Sequence, residues 1–276
     1  MPITNEQNTD GEKRGKLILI SAFISLSLFV TKLTQNTTQI IVSDVYLTAG
    51  IYFLIVFFGL IWAFDFKLKR RSFLLLAQAG LFVASQELFI EFFFFQKFSR
   101  VYEAFILLFL ILMVFVINYF TFLSINVLNV NLFKEIPLAQ VGRTGSFLIS
   151  ILMMYFYTFS LLLSGFPLYI TLALVFILYF INTFMHYENL GIGGGEIFRK
   201  TLPIVLICYT LFVGVFLSGY SHETISLLPV VGYYFCVTLT TKEHLYNVEE
   251  EKKNFILAVI VLVIVFFFTL FANLLA

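Results

Sequence analysis

The chain has 276 residues, 61% hydrophobic and 12% charged, with a formal net charge of +1. A soluble domain carries roughly a quarter charged residues, so this chain cannot cover its apolar surface with polar side chains and needs lipid as part of its solvent. The balanced charge excludes a basic field for nucleic acid, and aspartate only at Asp10, Asp44 and Asp65 excludes chemistry built on clustered aspartates.

Lys13, Arg14 and Lys16 precede an apolar run over 17–30, as in a signal peptide, but "TKLTQNTTQ" follows instead of a small-x-small cleavage site. A retained first span is therefore expected, after a disordered cytoplasmic polar tail over 1–15. A span needs about 20 apolar residues, and nine stretches qualify: 16–33, 44–64, 72–95, 104–125, 144–164, 166–186, 202–219, 226–241 and 254–275. The eighth is the weakest. At about 24 Å it falls short of a hydrocarbon core of about 30 Å, and it holds Pro229 and Gly232. The predicted fold is all-α: a polytopic integral membrane helix bundle of about nine transmembrane helices, forming one domain over 16–276.

Basic residues test that threading. With the N-terminus cytoplasmic, the inner segments hold Lys13, Arg14, Lys16, Lys67, Lys69, Arg70, Arg71, Lys134, Arg143, Arg199, Lys200, Lys242, Lys252 and Lys253. The outer segments hold only Lys32, Lys97 and Arg100. Removing the eighth span would strand Lys242, Lys252 and Lys253 outside, so the bias supports that span and places the C-terminus outside. "RRSF", "RTGSF", "RKTLP" and "KKNF" each put cations and then Ser, Thr or Asn before an inward-facing start, and the small polar residue is the expected N-cap. "SGFP" at 164–167 leaves spans five and six almost loopless, so they are expected to pack antiparallel. Cys208 and Cys236 lie in apolar runs and read as buried thiols.

Span three carries the strongest chemical signal. Ala77, Gly80, Ala84, Glu87 and Glu91 are spaced 3, 4, 3 and 4, which puts them on one stripe. Small residues on a stripe mark close helix contact in lipid. Two glutamates on the same stripe face the bundle, and an intramembrane carboxyl is a site candidate by default. The plainer alternative is an interfacial Glu91 and a Glu87 that is neutral or paired with an Asn, a Tyr or Arg100. On the same outer side, His222 and Glu223 of "GYSHET" are candidates to meet them. At the inner face, Glu135 and Arg143 of "KEIPLAQVGRTGSF", with Glu196, Arg199 and Lys200 beside the glycine loop, are candidates for a lipid head-group site. His186 and Glu188 are expected near the same loop, and ordinary topology-setting charge is the plainer account of this group.

"ENLGIGGGEIFRKT", 188–201, resembles a phosphate loop in composition only. Both G-x-x-x-x-G-K-[ST] and G-x-G-x-x-G, counted from Gly191, need glycine where Glu196 stands. It reads as a turn between spans six and seven, with Thr201 capping the next helix and Pro203 in its first turn.

"NLFKEIPLAQVGRTGSFLISIL", 131–152, resembles a segment of uncharacterised bacterial multi-span membrane proteins, of the form I-P-L, R-T, F-L, and the similarity runs through about 105–270. The resemblance implies a bacterial membrane protein and assigns no catalytic residue; the expected location is the bacterial plasma (inner) membrane. H-E-x-x-H and G-x-S-x-G are absent from the sequence, and no cofactor or metal is expected. The expected partners are membrane lipid and other membrane proteins, not nucleic acid. Three classes stay open: transport or handling of a lipid or small apolar substrate with Glu87 in an outward cavity, a membrane scaffold, and an enzyme acting on a lipid-linked or phosphorylated substrate at the inner face.

Overall fold

The computed structural model describes residues 4–34, 41–93, 101–133, 138–192, 194–217, 219 and 221–242, and these form helices and short turns. The helices are α1 (Thr4–Thr34), α2 (Val42–Ala63), α3 (Arg70–Phe93), α4 (Val101–Asn131), α5 (Ala139–Leu163), α6 (Leu168–Asn189), α7 (Gly195–Leu217) and α8 (His222–Lys242). Each of the eight is long and apolar enough to cross a membrane. The expected ninth span, 254–275, lies outside the described residues, as do Glu135, Lys97 and Arg100.

Several boundaries differ from expectation. Helix α1 begins at Thr4, inside the segment read as a disordered tail. Helix α8 has 21 residues, about 32 Å at 1.5 Å per residue, and is not short: the polar "HETIS" turn joins the apolar run, with Ile225 N–H donating to the Ser221 carbonyl at 2.9 Å. The expected N-caps at Thr201 and in "RTGSF" are overturned, because α7 starts six residues before Thr201 and α5 starts at Ala139. Thr144 instead donates back to the Gln140 carbonyl within the helix at 3.1 Å. Ser72 lies in the first turn of α3, and its hydroxyl accepts the Lys69 N–H at 2.9 Å. It thus performs the backward half of a capping box instead of serving as the cap itself.

The chain divides into two compact units, residues 1–149 and 150–276, and the division falls inside α5. No composition change marks it in the sequence. In the first unit α1 packs on α2 and α4, and α3 packs on α2 and α4. The chain alternates direction, as three cross-links establish: Lys16 of α1 meets Asp65 just after α2, Ser72 of α3 donates to Asn129 of α4 at 2.6 Å, and Lys32 of α1 meets Glu91 of α3. One end of the unit therefore gathers Lys13, Lys16, Lys67, Lys69 and Arg70, and the other holds the Lys32–Glu91 pair. Helix α3 is the most buried span. Ser146 of α5 covers it too, donating its hydroxyl to Gln78 Oε1 at 3.1 Å while Gln78 Nε2 donates to the Ser146 carbonyl at 3.3 Å. Its small residues permit this: a Cβ on Gly80 would lie 2.7 Å from a Phe53 ring carbon and 3.1 Å from the Phe53 carbonyl oxygen.

In the second unit the "SGFP" turn, with Gly165 at φ +68°, joins α5 to α6. Thr158 bonds Tyr179 at 2.9 Å and Asn182 Nδ2 donates to the Ser150 carbonyl at 2.8 Å. The falling partner numbers make α5 and α6 antiparallel, as expected. Tyr179 packs edge-on against Phe212 of α7, and α7 packs on α8. The glycine loop is a turn: α6 ends at Asn189, Gly191 and Gly194 take φ of +84° and +67°, and α7 starts at Gly195.

Two predictions follow from the first unit. Gly80→Ala forces α2 away from α3 and costs about 1–3 kcal/mol, whereas Gly50→Ala, where an added Cβ meets nothing within 4 Å, leaves thermal melting in detergent unchanged or slightly raised. The second concerns Asp65. The hydrogen bond from Lys16, helped by the charges of Lys16, Lys13 and Lys67, holds the Asp65 carboxyl below its ordinary 3.8 against a weaker effect of desolvation. A depressed folded-state value contributes stability above the unfolded value and loses it as pH falls through the folded one. The melting-temperature gap between the wild type and Asp65→Asn is therefore present at neutral pH and closes as pH drops below about 3.8. It is small, because the pair is partly exposed.

Candidate functional site

Glu87 and Glu91 lie one turn apart near the end of α3, about 25 and 31 Å along the helix from Arg70. Both are buried. Lys32, in the last turn of α1, reaches across to Glu91: Nζ and Oε2 are 2.7 Å apart, with side-chain exposures of 3% and 8%. Lys32, expected among the few outer basic residues, is buried in a pair with Glu91. Its partner is 59 positions away, so no local pattern marks the pair. The only available signal was a cation closing span one on the same side of the membrane as two acids closing span three.

Around the pair, the Tyr52 hydroxyl of α2 bonds Ser27 of α1 at 2.9 Å and also meets Thr31. Tyr52 lies within electrostatic range of both Glu87 and Glu91. Glu87 also feels Glu91 and Lys32. Three helices thus converge on one ammonium and two carboxyl groups. Glu91 is paired. Glu87 is 2% exposed, and neither carboxyl oxygen has a hydrogen-bond partner among the described residues. A Leu28–Ile90–Val114 cluster packs apolar atoms beside the site. With the Ser72–Asn129 bond, the Ile90–Val114 contact sets the antiparallel register of α3 and α4. Near Glu87 that register places Asn118 of α4 at about the level of Gln86. Asn118 is fully buried, and its amide also has no partner among the described residues.

The cluster can hold one positive charge between two acids, and nothing in it resembles a nucleophile with its base. His222 and Glu223 open α8 as exposed residues of the second unit, whereas the glutamates belong to the first. No group of three or more His, Cys, Asp or Glu suited to a metal occurs among the described residues.

The inner-face candidates are only partly gathered. Glu196 and Lys200 form an i,i+4 pair at 3.5 Å on α7, with Arg199 exposed beside them. Arg143 is half-buried in α5 within the first unit, and its Nε has no partner among the described residues. His186 is not a loop residue. It is buried in α6, with its ring against Tyr187 and Tyr233, in a polar patch that the sequence reading missed.

Removing one partner from a buried pair leaves an uncompensated charge. Glu91→Gln is expected to cost about 3–5 kcal/mol, against about 1 kcal/mol for losing one hydrogen bond in Ser27→Ala; equilibrium unfolding in detergent measures both. No protein-family model, curated protein or solved structure matches the chain, so a functional reading rests on this geometry.

Proposed function

We propose that the chain is a nine-span transporter of the bacterial plasma membrane, N-terminus in the cytoplasm and C-terminus outside, that moves a lipid or small apolar substrate with the Lys32–Glu91–Glu87 cluster as its working centre. The observation that carries this reading is Glu87: a deeply buried carboxyl, without a hydrogen-bond partner among the described residues, one turn from a complete ion pair. A carboxyl at such a place costs up to a few kcal/mol. Fastening α1 to α3 requires only Lys32 and Glu91. A second acid gives the single ammonium two alternative partners, separated by one helical pitch of about 5.4 Å. Exchange between them, with a one-turn slide of α1 along α3, is the kind of two-position element on which alternating access is built.

Orientation is supported by the charge asymmetry of the first unit. Lys13, Lys16, Lys67, Lys69 and Arg70 share one end, and that end faces the cytoplasm under the positive-inside rule. Lys252 and Lys253 after α8 fit the same inner side, and the apolar run over 254–275 is what supports the ninth span.

The test is reconstitution into phospholipid vesicles carrying either a fluorescent phospholipid or an apolar fluorescent dye, with flux followed with and without a pH gradient. The wild type is expected to accelerate the flux of at least one probe. Glu87→Gln, which keeps the shape of the side chain and removes its ability to ionise, is expected to melt at the same or a higher temperature. Its flux should fall roughly tenfold, the loss of about 1.4 kcal/mol of differential interaction. Full flux in a folded Glu87→Gln variant would leave the carboxyl without a role and favour a scaffold fastened by Lys32 and Glu91.

A further inference from the structure

At the opposite end of the first unit, a cavity of about 230 Å³ opens between the start of α1, the loop after α2 and the end of α4. Lys13, Lys67, Asn126 and Asn129 line its polar side, and Phe64, Val130 and Phe133 line its apolar side. The cations nearby are not equivalent. Lys16 is engaged by Asp65 and lies 5.2 Å from the Trp62 ring centre. Lys69 donates to the Leu132 carbonyl and lies 4.6 Å from the Phe133 ring centre. Lys13 and Lys67 form no ion pair among the described residues, yet both line the cavity. Asp65, the carboxylate on which the charges of Lys13 and Lys67 act, is already paired with Lys16.

The cavity wall is held in place. Asn129 accepts from Ser72 at 2.6 Å and donates to the Lys67 carbonyl at 3.5 Å, and Lys69 ties the same loop to the end of α4. A loop fixed before binding loses little freedom on binding. The volume lies below the roughly 300 Å³ at which pockets for drug-sized ligands begin and suits a single head group.

We propose that this cavity binds a phosphate group between the Lys13 and Lys67 ammonium groups, with the Asn126 amide completing the polar side. A phosphate supplies the missing anion, and lysines bind it as point charges. Phe64, Val130 and Phe133 offer an apolar wall along which the glycerol and upper acyl chain of an anionic phospholipid fit. The site is independent of the Glu87 cluster and of the residues of the glycine loop.

The test uses the full chain in nanodiscs and reads the melting temperature. Discs of phosphatidylglycerol in phosphatidylcholine are compared with discs of phosphatidylcholine alone, and the latter are measured again with inorganic phosphate. A bound head group is expected to raise melting by about 2–5 °C, and added salt to reduce the rise. A rise with phosphatidylglycerol only identifies a lipid head group, and a rise with inorganic phosphate in phosphatidylcholine identifies a soluble phosphate. Lys13→Gln with Lys67→Gln, both in accessible side chains, should abolish the rise, while Lys200→Gln should keep it. Equal melting in all three conditions would overturn the proposal, as would a rise that survives the double substitution.

Discussion

The Lys32–Glu91 ion pair is the contact on which the first unit depends. It joins the last turn of α1 to the last turn of α3, two helices that run the same way and are separated in the chain by all of α2. In water such a pair is worth little. With both side chains withdrawn from solvent, each charge relies on the other, and removing one leaves several kcal/mol of uncompensated burial. The bond from Tyr52 to Ser27 adds α2 at the same level. The Ser72–Asn129 and Gln78–Ser146 bonds fix α3 against α4 and α5 nearer its start. The most buried helix is thus held by polar links along its length, where apolar packing alone gives weak direction between helices in lipid.

Glu87 departs from that economy. Ser72, Gln78 and Glu91 are each spoken for, whereas Glu87 and the neighbouring Asn118 are deeply buried with no hydrogen-bond partner among the described residues. A buried polar group without a partner calls for an explanation, such as a functional role or a bound water or ion. The opposite end of the unit differs in kind: its cations are accessible, and two of them line a preformed cavity. One end is built around a scarce positive charge and the other around a surplus, and the two proposals follow from that contrast.

The spans were legible in the sequence because hydropathy and length decide them, and α3 was legible as a helix with two acids on its buried stripe. Partners were not. Lys32 closes an apolar run in the manner of any boundary lysine, and only the tertiary packing brings it to Glu91. Ser72, Thr144 and Thr201 looked like caps because each follows a basic residue. The helices start earlier because polar residues such as Gln140 and Glu196 continue the helix beyond the apolar stretch. His186 is close to the glycine loop in sequence, yet its position on α6 buries its ring against Tyr187 and Tyr233.

The ion pair and Glu87 can serve as a working centre or as a fastening, and one variant separates these roles. Lys32→Met combined with Glu91→Leu replaces a buried pair with apolar groups of similar size, a change that is often neutral or stabilising. Measured in vesicles beside the wild type, the account predicts that melting is retained or raised while probe flux is lost. Retained melting together with full flux would contradict it and leave the pair as structure alone.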